Sequence, residues 1–406
     1  MTAAPPGFLR VRLGGLPRPF WVVWAGTLAN RLGTMVVPFL ALYLTADRGL
    51  SVTEAGAVLA LVGVGQVFSP LIGGVLADRV GRRATLAGGL LATAATMVGV
   101  GYATDVAVLL ALALLLGLVL DVFRPAVQAV VADLVDPDDR PRAFGLLLWA
   151  VNLGFSVAMV LGGTLARAGF LPLFWVDAGT CALFAVLVWR AVPETGGRRA
   201  GGGEPGRMLD VPRDRVMLGV VLVTVLVAFA FLQSLATLPL AMREDGLSPA
   251  AYGLVMAVNG IVVVVVQPVI GHRLGGFDRS RLLAAGMAVL GVGTGATALA
   301  STTPGYALCM VVWTLGEVLV HSVGAAVVAD LAPAHLRGRY NGAYGTAWGL
   351  AAFLAPLGGT QLLVLGAPVL WTTCLVLCLV AAVGQLALGP AVRVRAAVAT
   401  SGVGAR

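Results

Sequence analysis

About twelve apolar stretches, each of roughly 20–28 residues, alternate along this chain with short arginine clusters, and a stretch that long spans a hydrocarbon core about 30 Å thick. The approximate spans are 19–46, 53–78, 83–103, 106–134, 140–167, 171–190, 214–242, 249–273, 279–300, 304–331, 337–364 and 367–388. Composition agrees: 11% of the 406 residues are charged, whereas soluble domains carry about 25%. So little charge cannot cover a water-facing surface, so most of the surface must meet lipid. A run preceded by Arg10, Arg12 and Arg18 resembles a signal peptide, but it is too long for one and holds Asn30 and Arg31. It reads as the first span.

The net charge is +8 and all 27 basic residues are arginine. A basic chain often binds nucleic acid, but here the arginines follow topology. Those at the starts of spans one, three, five, seven, nine and eleven, and in the long loop after span six, share one side of the membrane. Arg48, Arg167 and Arg243 fall on the other side, and Arg31 and Arg124 lie inside spans. The positive-inside rule then places both termini in the cytoplasm of a multi-pass plasma-membrane protein. The expected partners are a small-molecule substrate, protons and membrane lipid, for a monomer that binds no nucleic acid.

The one long polar segment, 193–215, is rich in Gly, Pro and Arg and reads as a flexible cytoplasmic linker. It separates an N-terminal six-helix bundle (1–192) from a C-terminal one (216–406). The halves repeat at an offset of 197 residues: AVVADL at Ala129–Leu134 returns at Ala326–Leu331. Arg140 and Arg142 match Arg337 and Arg339, Gly145 matches Gly342, and Gly56 matches Gly253. LGGT occurs at Leu161–Thr164 and again, slipped by one, at Leu357–Thr360. The predicted fold class is an all-α membrane protein, twelve transmembrane helices in two pseudo-symmetric bundles with a site between them near mid-membrane.

Spans two and three are joined by Gly74-Val75-Leu76-Ala77-Asp78-Arg79-Val80-Gly81-Arg82-Arg83. Glycines permit close helix approach and a tight turn. Asp78 among arginines can pair across an interface that breaks and reforms. Ordinary helix-end charge explains the arginines but not the spacing. The segment resembles the cytoplasmic loop motif of the major facilitator superfamily almost letter for letter, and the six-plus-six layout extends the resemblance over essentially the whole chain. The second-half copy, Gly271-His272-Arg273-Leu274-Gly275, is degenerate. Span four, with Asp121, Phe123, Arg124 and Pro125, looks like that of twelve-helix drug:proton antiporters. Span five carries Asn152, Gly154, Ser156, Ala158, Gly162 and Gly163 but lacks the proline of the antiporter motif. The resemblance implies alternating access, with spans one, four, seven and ten around a central cavity.

Ionisable residues inside a membrane are costly and mark ion or substrate paths by default. Asp121 and Arg124 lie three apart on span four, Glu317 and His321 four apart on span ten, so each pair shares a helix face. A structural pair locking the bundle is the plain alternative for Asp121 and Arg124. Arginine does not lose its proton, and Arg124 holds Asp121 ionised. Glu317, tuned by His321, is therefore the expected main proton carrier, with Asp121 as a further candidate. Asn30, Arg31 and Arg124 are expected to set the cavity's charge and geometry. Gly74, Asp78, Arg79, Gly81, Arg82 and Arg83 form the expected conformational switch. Gln66, Gln233, Asn259 and Gln267 are equally readable as links between helices.

The four cysteines lie within spans without metal-ligand spacing, and no cofactor is implied. Neither an HExxH pair, a GxSxG elbow nor a GxxxxGK[ST] loop occurs. An enzyme is therefore disfavoured, and without a nucleotide site transport must be gradient-driven. The favoured reading is proton-coupled export of a lipophilic or amphipathic small molecule. The alternatives are carriage of a specific polar metabolite, or a non-transporting receptor on the same fold.

Overall fold

A computed structural model describes residues 15–194, 214–273, 277–332 and 336–401. Most of the expected linker, together with Arg10, Arg12, Leu274 and Gly275, lies outside the described residues. Lipid offers the backbone no hydrogen bonds, so each crossing must satisfy its own amides, and a helix does so within one segment. Twelve helical crossings result: α1 (Arg18–Asp47), α2 (Val52–Arg79), α3 (Arg82–Tyr102), α4 (Val106–Leu134), α5 (Arg140–Leu165), α6 (Leu171–Ala191), α7 (Arg215–Ala236), α8 (Pro249–Arg273), α9 (Arg279–Ala296), α10 (Thr303–Leu331), α11 (Arg337–Val364) and α12 (Ala367–Ser401). A short helix, Leu238–Glu244, follows α7.

Most span boundaries agree with the hydropathy reading to within a few residues. The exception is α12, which runs well past residue 388. Hydropathy marks where lipid ends, not where a helix ends. The polar extension is held by ion pairs, Arg393 to Asp278 at 2.8 Å and Arg395 to Asp214 through both carboxylate oxygens.

The bundles meet along two helix pairs, α2 with α11 and α5 with α8. Residues that repeat in sequence build these seams. Gly56 lies against Thr360 and Pro356, and Gly63 against the backbone of Ala352 and Phe353. On the other seam Gly253 meets Met159 and Gly163, and Gly260 meets Ser156. A Cβ at any of these four glycines would collide with the opposite helix, so the backbones approach as small-residue membrane packing allows. Hydrogen bonds from Arg243 to Thr45 (2.9 Å) and from Arg167 to Ser248 (3.5 Å) join the bundles at the same face. Two of the three arginines that break the charge asymmetry thus tie the bundles together.

Toward the face where α1 begins, the seams part. Heptad spacing continues the stripe Gly56–Gly63–Val67 to Gly74 on α2, and the stripe Gly349–Gly345–Gly342 on α11. On α5 it continues from Asn152 through Trp149 to Gly145. Gly74, Gly145, Gly342 and Gly345 have nothing within 4 Å of where a Cβ would sit, and Trp149 is 54% exposed. The bundles are closed on one face and separated on the face where α1 begins.

Candidate functional site

Two crossings of the N-terminal bundle are broken near mid-span. In α1, helix Arg18–Gly33 stops and Val36–Leu42 begins after Met35. In α4, Val106–Leu120 gives way to Phe123–Leu134. A proline stands four residues after each break, Pro38 after Thr34 and Pro125 after Asp121. Proline lacks the amide that would bond to that carbonyl, and its ring crowds it. Proline alone does not suffice, since α2 and α11 carry Pro70 and Pro356 without interruption. At both breaks a neighbouring polar side chain takes the freed amides. Asp177 of α6 accepts from the N–H groups of Met35 and Val36, each at 3.3 Å. Ser69 of α2 accepts from the N–H of Asp121 at 3.0 Å.

A cavity of about 230 Å³ lies at these breaks. Its polar lining includes Asn30, Arg31, Gln66, Asp121, Arg124 and Asp177, and apolar walls come from Val37, Met97, Phe155 and, across the bundle interface, Leu235. A second space of about 60 Å³ shares Val37, Gln66 and Leu235 and reaches Ala352 and Pro356 of α11. Arg124 and Asp121 form an ion pair at 3.0 Å across the α4 break. Asn30 donates to the Cys181 thiol at 3.1 Å, next to Asp177, which is 1% exposed. Gly154 of α5 packs on the Arg31 Cβ and the Leu28 carbonyl, setting how closely α1 approaches.

Glu317 and His321 are not among the residues lining this cavity. Glu317 accepts from Asn259 of α8 at 2.5 Å, and Asn259 also donates to Thr314 at 2.9 Å. His321 stacks on Trp348 with ring centroids 4.8 Å apart and meets Phe231 edge-on. The five charged candidates expected around one central point therefore fall into two groups, Arg31, Asp121 and Arg124 in the N-terminal bundle and Glu317 with His321 in the C-terminal one. The direct partner of Glu317 is Asn259 rather than His321, because α8 presents an amide to that carboxylate while the imidazole packs among rings of α7 and α11. Gln233 is a helix link, donating to the carbonyls of Phe229 and Ala355. Trp313, 1% exposed, packs on Trp371 in the core.

The loop motif is only partly engaged. Gly81 has a φ of 110°, a left-handed conformation suited to glycine. The Glu194 carboxylate lies where a side chain at Gly81 would sit, and it accepts from the N–H groups of Arg82 and Arg83 at 2.7 and 3.1 Å. Arg82 pairs with Asp133, and Arg83 lies over the Trp189 ring at 4.8 Å. Asp78 and Arg79 are exposed and make no hydrogen bond or ion pair among the described residues. Sequence reading missed Glu194 and Asp133 as partners, whereas Asn259, offered there as a link between helices, does join α8 to α10. Only the repeated AVVADL carried a signal, since its Asp133 and Asp330 take the same role, Asp330 pairing with Arg279 at 2.6 Å.

Among curated relatives, an MFS-type transporter, YqjV of Bacillus subtilis, is 26% identical over 80% of this chain and 82% of its own length. A Na(+), Li(+), K(+)/H(+) antiporter of Planococcus maritimus is 23% identical over 80% of this chain and 84% of its own. The multidrug resistance protein MdtH of Aeromonas salmonicida is 25% identical over 84% and 87%. Among solved structures, that of a POT peptide transporter superposes with a TM-score of 0.80 at 17% identity, covering 94% of this chain and 96% of that one, a likeness of fold. The profile of the Major Facilitator Superfamily matches residues 23–356 and 220–402. The cavity is lined almost wholly by the N-terminal bundle rather than evenly by both, and twelve crossings, two bundles and that match together place this chain in the Major Facilitator Superfamily, as a multi-pass membrane transporter.

Proposed function

We propose that this transporter is a proton-coupled exporter of a small amphipathic molecule, working by alternating access in the plasma membrane with both chain ends in the cytoplasm. The observation that carries the reading is the pair of seams, packed glycine to backbone on one face and separated along the same stripes on the other, with the cavity where they part. Closing the open face would bring Gly74 toward Gly342 and Gly345, and Asp78 would then gain the partner it lacks here. The arginine asymmetry supports a cytoplasmic open face. A relative named as a cation/proton antiporter and another named as a multidrug resistance protein favour antiport and efflux. The cavity's volume, below the roughly 300–1,000 Å³ of drug-sized sites, favours a small substrate.

Glu317 is the proposed proton carrier. Its carboxylate holds Asn259, and the adjacent residue, Gly260, packs into α5 at Ser156. Protonation turns an acceptor into a donor, which weakens the Asn259 bond at the point where the α5–α8 seam parts. The test is reconstitution in vesicles with an imposed pH gradient. Glu317→Gln should abolish gradient-driven accumulation and spare substrate exchange, whereas Asp121→Asn should impair both. Accumulation that survives in Glu317→Gln and fails in Asp121→Asn would assign the proton to the other carboxylate. Absence of any proton-driven flux in the unaltered protein would sink the carrier reading itself.

A further inference from the structure

We infer that the cavity selects organic anions, seating a carboxylate or similar monoanionic group on the Arg31 guanidinium with a short apolar body against Val37, Met97, Phe155 and Leu235. The inference rests on the reading of this cavity as the substrate site. Its basis is an inequality among four charged side chains in one lining. Asp121 and Arg124 are satisfied by each other at 3.0 Å. Asp177 is occupied by two backbone amides at the start of Val36–Leu42, at 3.3 Å each, where the helix dipole also favours a negative charge. Arg31 makes no hydrogen bond or ion pair among the described residues: Asp121 and Asp177 act on it only through longer-range attraction, and it lines the cavity with five donors in a planar fork.

A partly buried guanidinium whose donors no neighbour occupies offers an arriving acceptor bonds that replace those to water. Its fork matches a carboxylate through two parallel bonds. A cationic ligand would face Arg31 and Arg124 together, and both acids that could receive it are already engaged. A neutral apolar ligand would leave the guanidinium without an acceptor. Asn30 and Gln66, in the same lining, can donate to the ligand's polar atoms. The apolar side chains around them leave room for a ring or a short branched chain.

The test is equilibrium binding to the purified full-length protein in lipid nanodiscs, read as ligand-induced thermal stabilisation. Three probes share one skeleton: phenylacetate, 2-phenylacetamide and phenethylammonium. At millimolar concentration phenylacetate should stabilise the protein, and the amide and the amine should not. Arg31→Gln should weaken phenylacetate binding about tenfold to a hundredfold, the loss expected for charge-assisted hydrogen bonds. Arg31→Lys should retain part of it, and Arg190→Gln, outside the cavity, should retain all of it. Each variant is first checked for an unchanged unliganded unfolding profile. If Arg31→Gln does not fold, Arg31→Lys and the probe series decide alone. Stronger stabilisation by phenethylammonium, equal stabilisation by all three, phenylacetate binding undiminished in Arg31→Gln, or no stabilisation by phenylacetate would each overturn the inference. Binding requires neither a gradient nor turnover, so such a failure leaves the proton-driven carrier intact, and loss of flux with anion binding preserved would instead reject the carrier reading.

Discussion

At the 197-residue offset the two bundles share their frame and differ in their charge. Arg82 with Asp133 and Arg279 with Asp330 are the same ion pair made twice. Gly56 and Gly253 are the same seam contact made twice. The charged set of the N-terminal cavity has almost no counterpart. Arg31, Asp121 and Asp177 correspond to Ala228, Val318 and Cys374, all buried, and Arg124 to His321. The breaks are absent as well. Pro125 corresponds to Ser322, and α10 runs unbroken from Thr303 to Leu331. The two bundles share the scaffold, and among the described residues only the N-terminal one combines mid-span interruptions with charges beside them. Backbone groups freed by a break need polar partners in a membrane, so breaks and charges occur together.

The comparison is broken most forcefully by exchanging its prolines. Ser322→Pro in the continuous α10 should cost about 3 kcal/mol or more, because it removes an amide bond and crowds a carbonyl that nothing is placed to relieve. The reverse change, Pro125→Ser in α4, should leave thermal stability nearly unchanged, since that site already accommodates the break, and should slow transport by straightening the cavity wall. Unfolding midpoints in nanodiscs measure both, and equal losses from the two changes would show that the α4 break is not pre-accommodated.

A smaller effect is expected from Asp177→Cys, which gives α6 the residue its counterpart carries. Two buried amides would lose a charged acceptor, a loss of about 1.5–3 kcal/mol. Unfolding measurements on Asp177→Cys beside a neutral control such as Cys374→Ser would sharpen the contrast, and a stability loss no greater than the control's would argue against the capping role.

Acid separates the bundles at their ends. Burial would push the Asp214 carboxyl up, but hydrogen bonds from Arg395, Tyr340 and the Met217 amide outweigh it and hold the group at about 2. The folded value lies below the ordinary one, near 3.9. Its contribution is therefore complete above about pH 4 and lost as pH falls through about 2. The N-terminal counterpart of Asp214 is Pro17, which has no carboxylate. Hydrogen exchange across that acid window should loosen the start of α7 before the start of α1, and Asp214→Asn should remove the difference.

The smallest effect tests equality. Arg82→Ala and Arg279→Ala each break a partly exposed ion pair, worth less than about 1 kcal/mol. Their unfolding losses should agree within about 0.5 kcal/mol. A much larger loss at Arg82 would show that the Glu194 contact makes that loop something other than a copy.

The sequence by itself determined the twelve crossings, their division into two bundles and the repeated glycines that the structure places at the seams. Apolar length sets a crossing, and an internal repeat reports which positions serve the same contact. It also picked out Asn30, Arg31, Asp121, Arg124, Glu317 and His321 as the intramembrane polar set, because charge inside a span is conspicuous wherever it falls. The i,i+3 spacing also pointed to the Asp121–Arg124 pair, but which groups meet between helices was decided only in the tertiary structure. Glu317 found Asn259 rather than His321, and Asp177 found the amides of a broken α1. A hydrogen bond between helices depends on their rotation and depth, and an all-apolar crossing carries no periodicity that fixes either. Arg31 illustrates the division: the sequence placed a charge in the membrane, and only the packed bundle decided that no described residue bonds to it directly.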